Sequence, residues 1–307
     1  MTFDRLKIIT NIKNISYINK NDFEKKMKNG RIVGWRYKQE TPFLLLIEKD
    51  NSRKEIVIEF TAKILEERYP ELINSGNIQK CLETINELSI CKLKVDSILE
   101  DATVVKCDVT RDVVYNDLKG LTLSIRAGIK NYNRYSCRLD GDNLTITNNV
   151  STRNRKIRLV IYDKAKEMRR SENASCRAKT GFDIFNGKIR FEMNLTSMAQ
   201  IRQRLKVEDT TLMSVLNSSA TPIIDFFNDI LADKTGGTDV KTLREYERML
   251  LLESCGFDLD KVEAIARKHS SPKVSVKQLM KPYRELFENY NGESKDIRAI
   301  LNQLLSS

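Results

Sequence analysis

The chain has 307 residues, 40% of them hydrophobic, enough for one large domain or two moderate ones with real cores. Its six cysteines lack CxxC or zinc-like spacing and its only histidine is His269, which excludes a histidine-pair metal site and predicts reduced, buried thiols. Net charge is +11, and the longest uncharged apolar run near the N-terminus, around Phe43–Ile47, is too short for a secretory signal or a membrane span, so the expected location is the cytoplasm.

In chain order, Lys54–Phe60 alternates and reads as a strand. Residues 61–93 read as helical, with turns near Tyr69-Pro70 and Asn74-Ser75-Gly76. Thr103–Val109 reads as a strand, and Ser136–Leu139 and Asn143–Thr147 flank the hairpin turn Asp140-Gly141-Asp142. Ile157–Tyr162 and Gly187–Leu195 are strong strands, and Ser197–Leu205 and Leu212–Leu231 are expected helices. Lys234-Thr235-Gly236-Gly237-Thr238 is the expected linker. Beyond it, 239–254, 258–268, 275–290 and the tail from Ser294 read as helices. His269 is expected on the surface after one of them. The predicted fold class is α+β, a mostly antiparallel sheet flanked by helices over 1–232, with a small C-terminal helical module over 239–307.

The positive charge is concentrated. Residues 151–206 hold fifteen Lys and Arg against five Asp and Glu. Such a tract suits a polyanion, most simply nucleic acid. It lacks the bulky apolar face of a membrane-surface helix, so no membrane partner is expected.

Alternation along three strands places chemistry on one face. Ile157, Leu159 and Ile161 are core-facing, so Arg158, Tyr162 and Lys164 share the other side. Phe191, Met193 and Leu195 leave Arg190, Glu192 and Asn194 opposite, and Cys107 and Val109 leave Asp108, Thr110 and Asp112. If the three strands are neighbours, one face carries two carboxylates, a phenol and cations. Carboxylates without histidine or cysteine favour Mg²⁺ or Mn²⁺, which neutralises a phosphodiester. A nearby tyrosine is then a nucleophile, with Lys164 steadying the developing charge. Spacing alone supports no more than a basic, nucleic-acid-binding α+β protein.

The same residues carry a resemblance. Val160-Ile161-Tyr162-Asp163-Lys164-Ala165-Lys166-Glu167, followed by Ile189-Arg190-Phe191-Glu192-Met193-Asn194-Leu195 and preceded by Cys107-Asp108-Val109-Thr110-Arg111-Asp112, resembles rolling-circle replication initiators. The nearest types are the filamentous-phage gene II proteins and plasmid Rep proteins of the Rep-trans group. The opening Phe3-Asp4-Arg5-Leu6-Lys7 is similar too. The resemblance implies a sheet-based nicking domain with Tyr162 as nucleophile and Asp108 and Glu192 as metal-binding acids. Asp163 is a third acid only if a bulge or strand end turns it. Tyr132 and Tyr135 stay open as rival nucleophiles.

The expected activity is a metal-dependent, origin-specific nick that leaves a 5′-phosphotyrosyl link and a free 3′ hydroxyl. Arg153, Arg155, Lys156, Arg158, Lys166, Arg169, Arg170 and Arg190 are the cations expected to hold single-stranded or cruciform origin DNA. No GxxxxGK[ST] loop is present, so a host helicase and DNA polymerase are the expected partners. Homodimerisation is left open. A non-catalytic DNA-binding regulator and a mobilisation relaxase are the alternatives. The C-terminal helices are expected to contact DNA or the helicase, and generic packing is set against a helix-turn-helix around Leu259–Leu279.

Overall fold

Strands with alternating apolar side chains dominate the N-terminal part of the computed structural model, which describes residues 1–39, 41, 43–129, 134–152, 156–231, 242–255, 258–269, 275–289 and 297–306. Twelve strands are described: β1 (Phe3–Asn11), β2 (Ile15–Ile18), β3 (Phe23–Lys28), β4 (Arg31–Tyr37), β5 (Leu44–Asp50), β6 (Glu55–Thr61), β7 (Cys91–Leu93), β8 (Thr103–Val114), β9 (Tyr135–Asp140), β10 (Asn143–Asn148), β11 (Arg158–Asp163) and β12 (Lys188–Leu195). Ten of them form one sheet in the order β3-β4-β5-β6-β1-β8-β12-β11-β10-β9, while β2 and β7 pair separately. Every pairing is antiparallel. The fold is α+β.

One sheet face is apolar. Leu6, Ile8, Ile58, Phe60, Val104, Cys107, Phe191, Met193, Leu159, Ile161, Leu144 and Ile146 are fully buried. Each such side chain contributes about 1.5–3 kcal/mol by leaving water. Helices α1 (Ile78–Glu87), α2 (Val95–Asp101), α6 (Met198–Leu205) and α7 (Leu212–Leu216) belong to the same unit as the sheet. Of these, α2 lies against β1, α6 against β8 and β12, and α7 against β8. Ser197 starts α6 by accepting a hydrogen bond from the Gln200 amide. Between β11 and β12 the chain inserts α4 (Lys164–Met168) and α5 (Ala174–Thr180).

The chain divides into two units, Met1–Leu118 with Asn133–Asp225, and Lys119–Tyr132 with Phe226–Ser307. The boundary therefore differs from the expected 1–232 and 239–307. Most of α3 (Leu118–Gly128) belongs to the second unit. Ile129 bridges to Leu231, and a Cβ on Gly128 would press on Leu231 and Ile297, so this segment is built into the same packing. Helices α9 (Leu243–Ser254), α10 (Leu259–Lys268) and α11 (Val276–Asn289) share a core of Met249, Leu252, Val262, Ala266, Met280 and Phe287. Asp258 caps α10 and pairs with Arg126. The last helix, α12 (Ile297–Ser306), sends Arg298 to the Leu231 carbonyl at 2.6 Å.

Several expectations are corrected. Residues 62–71 form tight 3₁₀ turns broken at Glu66 rather than an α-helix, and 91–93 is a strand. The expected helix 212–231 splits into α7 and α8 (Pro222–Ile230), because Pro222 lacks the amide that a continuous helix needs there. The linker 234–238 and the breaks at Gly256 and 270–272 lie outside the described residues. His269 is exposed at the end of α10. All six cysteines are free, and burial pushes the Cys81 and Cys91 thiols up to about 12.

Gly34 in β4 faces the β5 backbone so closely that a Cβ would collide with the Lys49 carbonyl oxygen. Gly34→Ala is expected to cost about 1–3 kcal/mol, read as a lowered thermal midpoint.

Candidate active site on the polar sheet face

Strand register decides which polar side chains meet. β12 lies between β8 and β11, with Asn194 opposite Asp108, Glu192 opposite Thr110 and Arg190 opposite Asp112. On its other side, Arg190 faces Tyr162 and Glu192 faces Val160. Tyr162 is thus a diagonal neighbour of Glu192, within reach of a long side chain. Its phenol donates to Glu192 Oε2 at 3.1 Å. The Asn194 amide donates to Asp108 Oδ1 at 2.8 Å and to Glu192 Oε1 at 3.2 Å, tying the two acids together. Asp108, Glu192 and Tyr162 therefore share one constellation.

The electrostatics follow from burial. Asp108 is 5% exposed. Burial, and then the charge of Glu192, push its carboxyl up to about 7, against the Asn194 hydrogen bond. Burial, then Asp4, raises Glu192. The Tyr162 phenol is pushed well up by burial and then by Glu192, so it is a neutral donor here.

Beside this constellation lies a buried ionic network. Arg190 is 0% exposed and holds Asp112 with two hydrogen bonds, of 2.6 and 2.8 Å. Its NH1 donates to Asp4 Oδ1 at 2.7 Å and to the Tyr69 hydroxyl at 2.9 Å. Tyr69 in turn donates to Asp4 at 3.1 Å. Burial alone would raise Asp4, but Arg190, Lys164 and Lys63 reverse this and hold it below the ordinary carboxylate range. Burial likewise opposes the Arg190 charge, and Tyr69, Asp112 and Asp4 more than compensate.

This overturns the expected DNA contact for Arg190, whose guanidinium is engaged inside the protein. Lys164 is corrected too. The strand ends at Asp163 and α4 begins at Lys164, so alternation no longer governs that side chain. Lys164 is buried, donates to Glu167 at 2.6 Å, and lies 5.0 and 5.9 Å over the Tyr69 and Tyr162 rings. Its ammonium is engaged inside the protein, with Glu167 and the two rings. Asp163 caps α4 by accepting from the Lys166 amide at 2.9 Å, and that is its structural work.

The remaining cations divide. Lys156, Arg158, Lys166, Arg169 and Arg170 are exposed, whereas Arg153, Arg155 and the rival Tyr132 lie outside the described residues. Tyr135 sits in β9, opposite Asn148 and two strands from Tyr162. An open cavity of about 510 Å³ adjoins the constellation, lined by Tyr162, Glu192, Val160, Arg158, Lys166 and Arg170 among others.

Among the described residues no group of three or more His, Cys, Asp or Glu side chains could hold a metal ion. The acids here number two, Asp108 and Glu192, with Asn194 between them. The Asn194 NH2 faces both acids, so the hard-oxygen donor set here is the two carboxylates alone. That set fits Mg²⁺ or Mn²⁺, which retain waters and take further oxygens from phosphate. Sequence reasoning missed Asp4 and Tyr69. Their only signal was a charged residue in an alternating opening strand and a tyrosine before Pro70.

The raised carboxyl of Asp108 makes stability depend on pH. A pKa above the unfolded value gives stability that is full below about 4 and lost as pH rises through about 7. The lowered acids Asp4, Glu59 and Glu167 act at the acid end, while the raised carboxyl of Glu192 adds a fall of the same sign as Asp108. Asp108→Asn should therefore reduce, without abolishing, the fall in thermal midpoint expected of the native chain between pH 5 and 8. Arg190→Met strands Asp4 and Asp112, and should cost about 3–5 kcal/mol in urea unfolding.

Comparison with protein-family models, with curated proteins and with solved structures found no match, so the chemistry of this face carries the functional reading.

Proposed function

We propose that the chain is a rolling-circle replication initiator, a metal-dependent DNA strand transferase with Tyr162 as nucleophile. The observation that carries this is the hydrogen bond from the Tyr162 phenol to Glu192, beside Asp108 and an open cavity rimmed by cations. Glu192 takes the phenol proton as the oxygen attacks the scissile phosphorus. The bond from phosphorus to the 3′ oxygen breaks, a bond to the tyrosine oxygen forms, and the departing 3′ oxygen acquires a proton from water. One phosphodiester replaces another, so no nucleotide energy source is consumed and the strand can be rejoined.

Asp108 and Glu192 would hold Mg²⁺ or Mn²⁺, with Asn194 orienting both carboxylates. The ion would supply charge neutralisation at the phosphate and draw the phenol pKa down. Arg158, Lys166, Arg169 and Arg170 would follow the backbone of single-stranded or cruciform origin DNA. Lys164 and Arg190 act behind the site, fixing the rings of Tyr162 and Tyr69. Strand separation and extension fall to a helicase and a polymerase, in the cytoplasm. The second unit is assigned to duplex or helicase contact. Among the described residues no helix is long and apolar enough to cross a membrane.

The burial that keeps the phenol neutral favours a second reading, a DNA-binding regulator without catalysis. Labelled hairpin oligonucleotides from the replicon, incubated with Mn²⁺, separate the two. An SDS-resistant adduct is expected from the native chain and none from Tyr162→Phe, with DNA affinity unchanged. Asp108→Asn should demand more metal for the same rate. No adduct from the native chain leaves the regulator, and an adduct that persists in Tyr162→Phe moves the nucleophile to Tyr135 or Tyr132.

A further inference from the structure

The edge of the large sheet away from Tyr162 ends in a basic two-stranded ribbon. β3 pairs only with β4, and β4 pairs with β5 over Gly34–Arg36, with one more bond from the Asn51 amide to the Val33 carbonyl. Met27–Ile32 therefore extends past that pairing. The turn is Asn29-Gly30, with φ of 50° and 73°, the two positive angles of a type I′ hairpin. Such a turn matches the strand twist and keeps the tip ordered.

The ribbon exposes an unusual surface. Residues 24–32 are all exposed, and β3 and β4 together carry five cations against one acid. Lys26 is paired with Glu48 and Asp50. Lys25, Lys28, Arg31 and Arg36 have no carboxylate within ion-pair distance among the described residues. Between them Met27 is 54% exposed and Ile32 44%. Lysines on an edge strand discourage strand pairing between molecules. That purpose does not call for two exposed apolar side chains at the tip.

We propose that this ribbon is an arm that binds duplex DNA in a groove. The major groove of B-form DNA is about 12 Å wide and admits a two-stranded ribbon. The unpaired cations would meet phosphates on the groove walls, and Met27 and Ile32 would meet base edges and thymine methyls. The deep, narrow major groove of A-form RNA excludes a ribbon. Two apolar residues are too small a face for membrane insertion. Duplex binding needs neither Tyr162 nor the acids, so the arm stands or falls apart from the nicking reaction.

The test uses the full chain and a labelled mixed-sequence duplex, titrated at several salt concentrations. Lys25→Ala/Lys28→Ala/Arg31→Ala should weaken duplex binding about tenfold or more and reduce the log–log salt slope by about 0.9 for each phosphate no longer neutralised. Circular dichroism melting should not move, because the three side chains are exposed. Met27→Ser/Ile32→Ser should weaken duplex binding without changing the slope. Keeping the charge with Lys25→Arg/Lys28→Arg should retain affinity. Unchanged affinity and slope in the triple variant overturn the proposal. So does self-association with unchanged DNA affinity, which would mark the lysines as edge protection. Loss of binding only to anionic phosphatidylserine vesicles overturns it as well.

Discussion

Arg190 is the constraint on which the polar half of the sheet depends. A fully buried guanidinium is tolerable only when its donors are met, and here Asp112 takes two, Asp4 one, and Tyr69 a further hydrogen bond. These partners come from β8, from the first residues of β1, and from the turns after β6. The N-terminal strand, the turns at 62–71 and the central β12 are therefore locked by one side chain. Since Tyr162 is the cross-strand partner of Arg190, the ring beside the acids is held by the same arrangement. Lys164, buried over both tyrosine rings, adds a second cation to that layer.

The same face carries two regimes of charge. At the Arg190 end cations and anions balance, and Asp4 stays ionised. Two residues along β12, no guanidinium bonds to Asp108 and Glu192 among the described residues, and their carboxyls rise. Nearby Arg5 and Lys106 are engaged with Glu59, which limits what they offer Asp108. The fold thus satisfies one pair of acids with protein cations and leaves the next pair buried, with Glu192 raising Asp108 and Asp4 raising Glu192. Such a pair gains most from an added cation.

How much of this was legible depended on range. The alternation in β8, β11 and β12 has a period of two, so Asp108, Tyr162 and Glu192 could be assigned to one face, given that the strands are neighbours. Pro222 splitting a helix and Lys164 turning into α4 are local events that override periodicity. Strands β1 and β3 escaped notice because charges interrupt their apolar residues, and the run Phe43–Ile47 at the start of β5 lacks the alternation that marks a half-buried strand. The role of Arg190 was unreadable. Its partners lie 78, 121 and 186 residues away, and only the topology brings them together.

Exposed charge, rather than total charge, then governs where a polyanion can bind. Residues 151–206 are rich in cations, yet Lys164 and Arg190 are buried and Lys179 is paired with Glu66. The insertion between β11 and β12 keeps Lys166, Arg169 and Arg170 at the surface, and Arg169 also stacks over Phe182. At the opposite end of the sheet the β3–β4 ribbon exposes an independent set. Charge taken up by internal pairing in the middle of the sheet is offset at its two ends. Under the proposed reading, a strand held near Tyr162 and a duplex held by the ribbon would draw on these two separate sets of exposed cations.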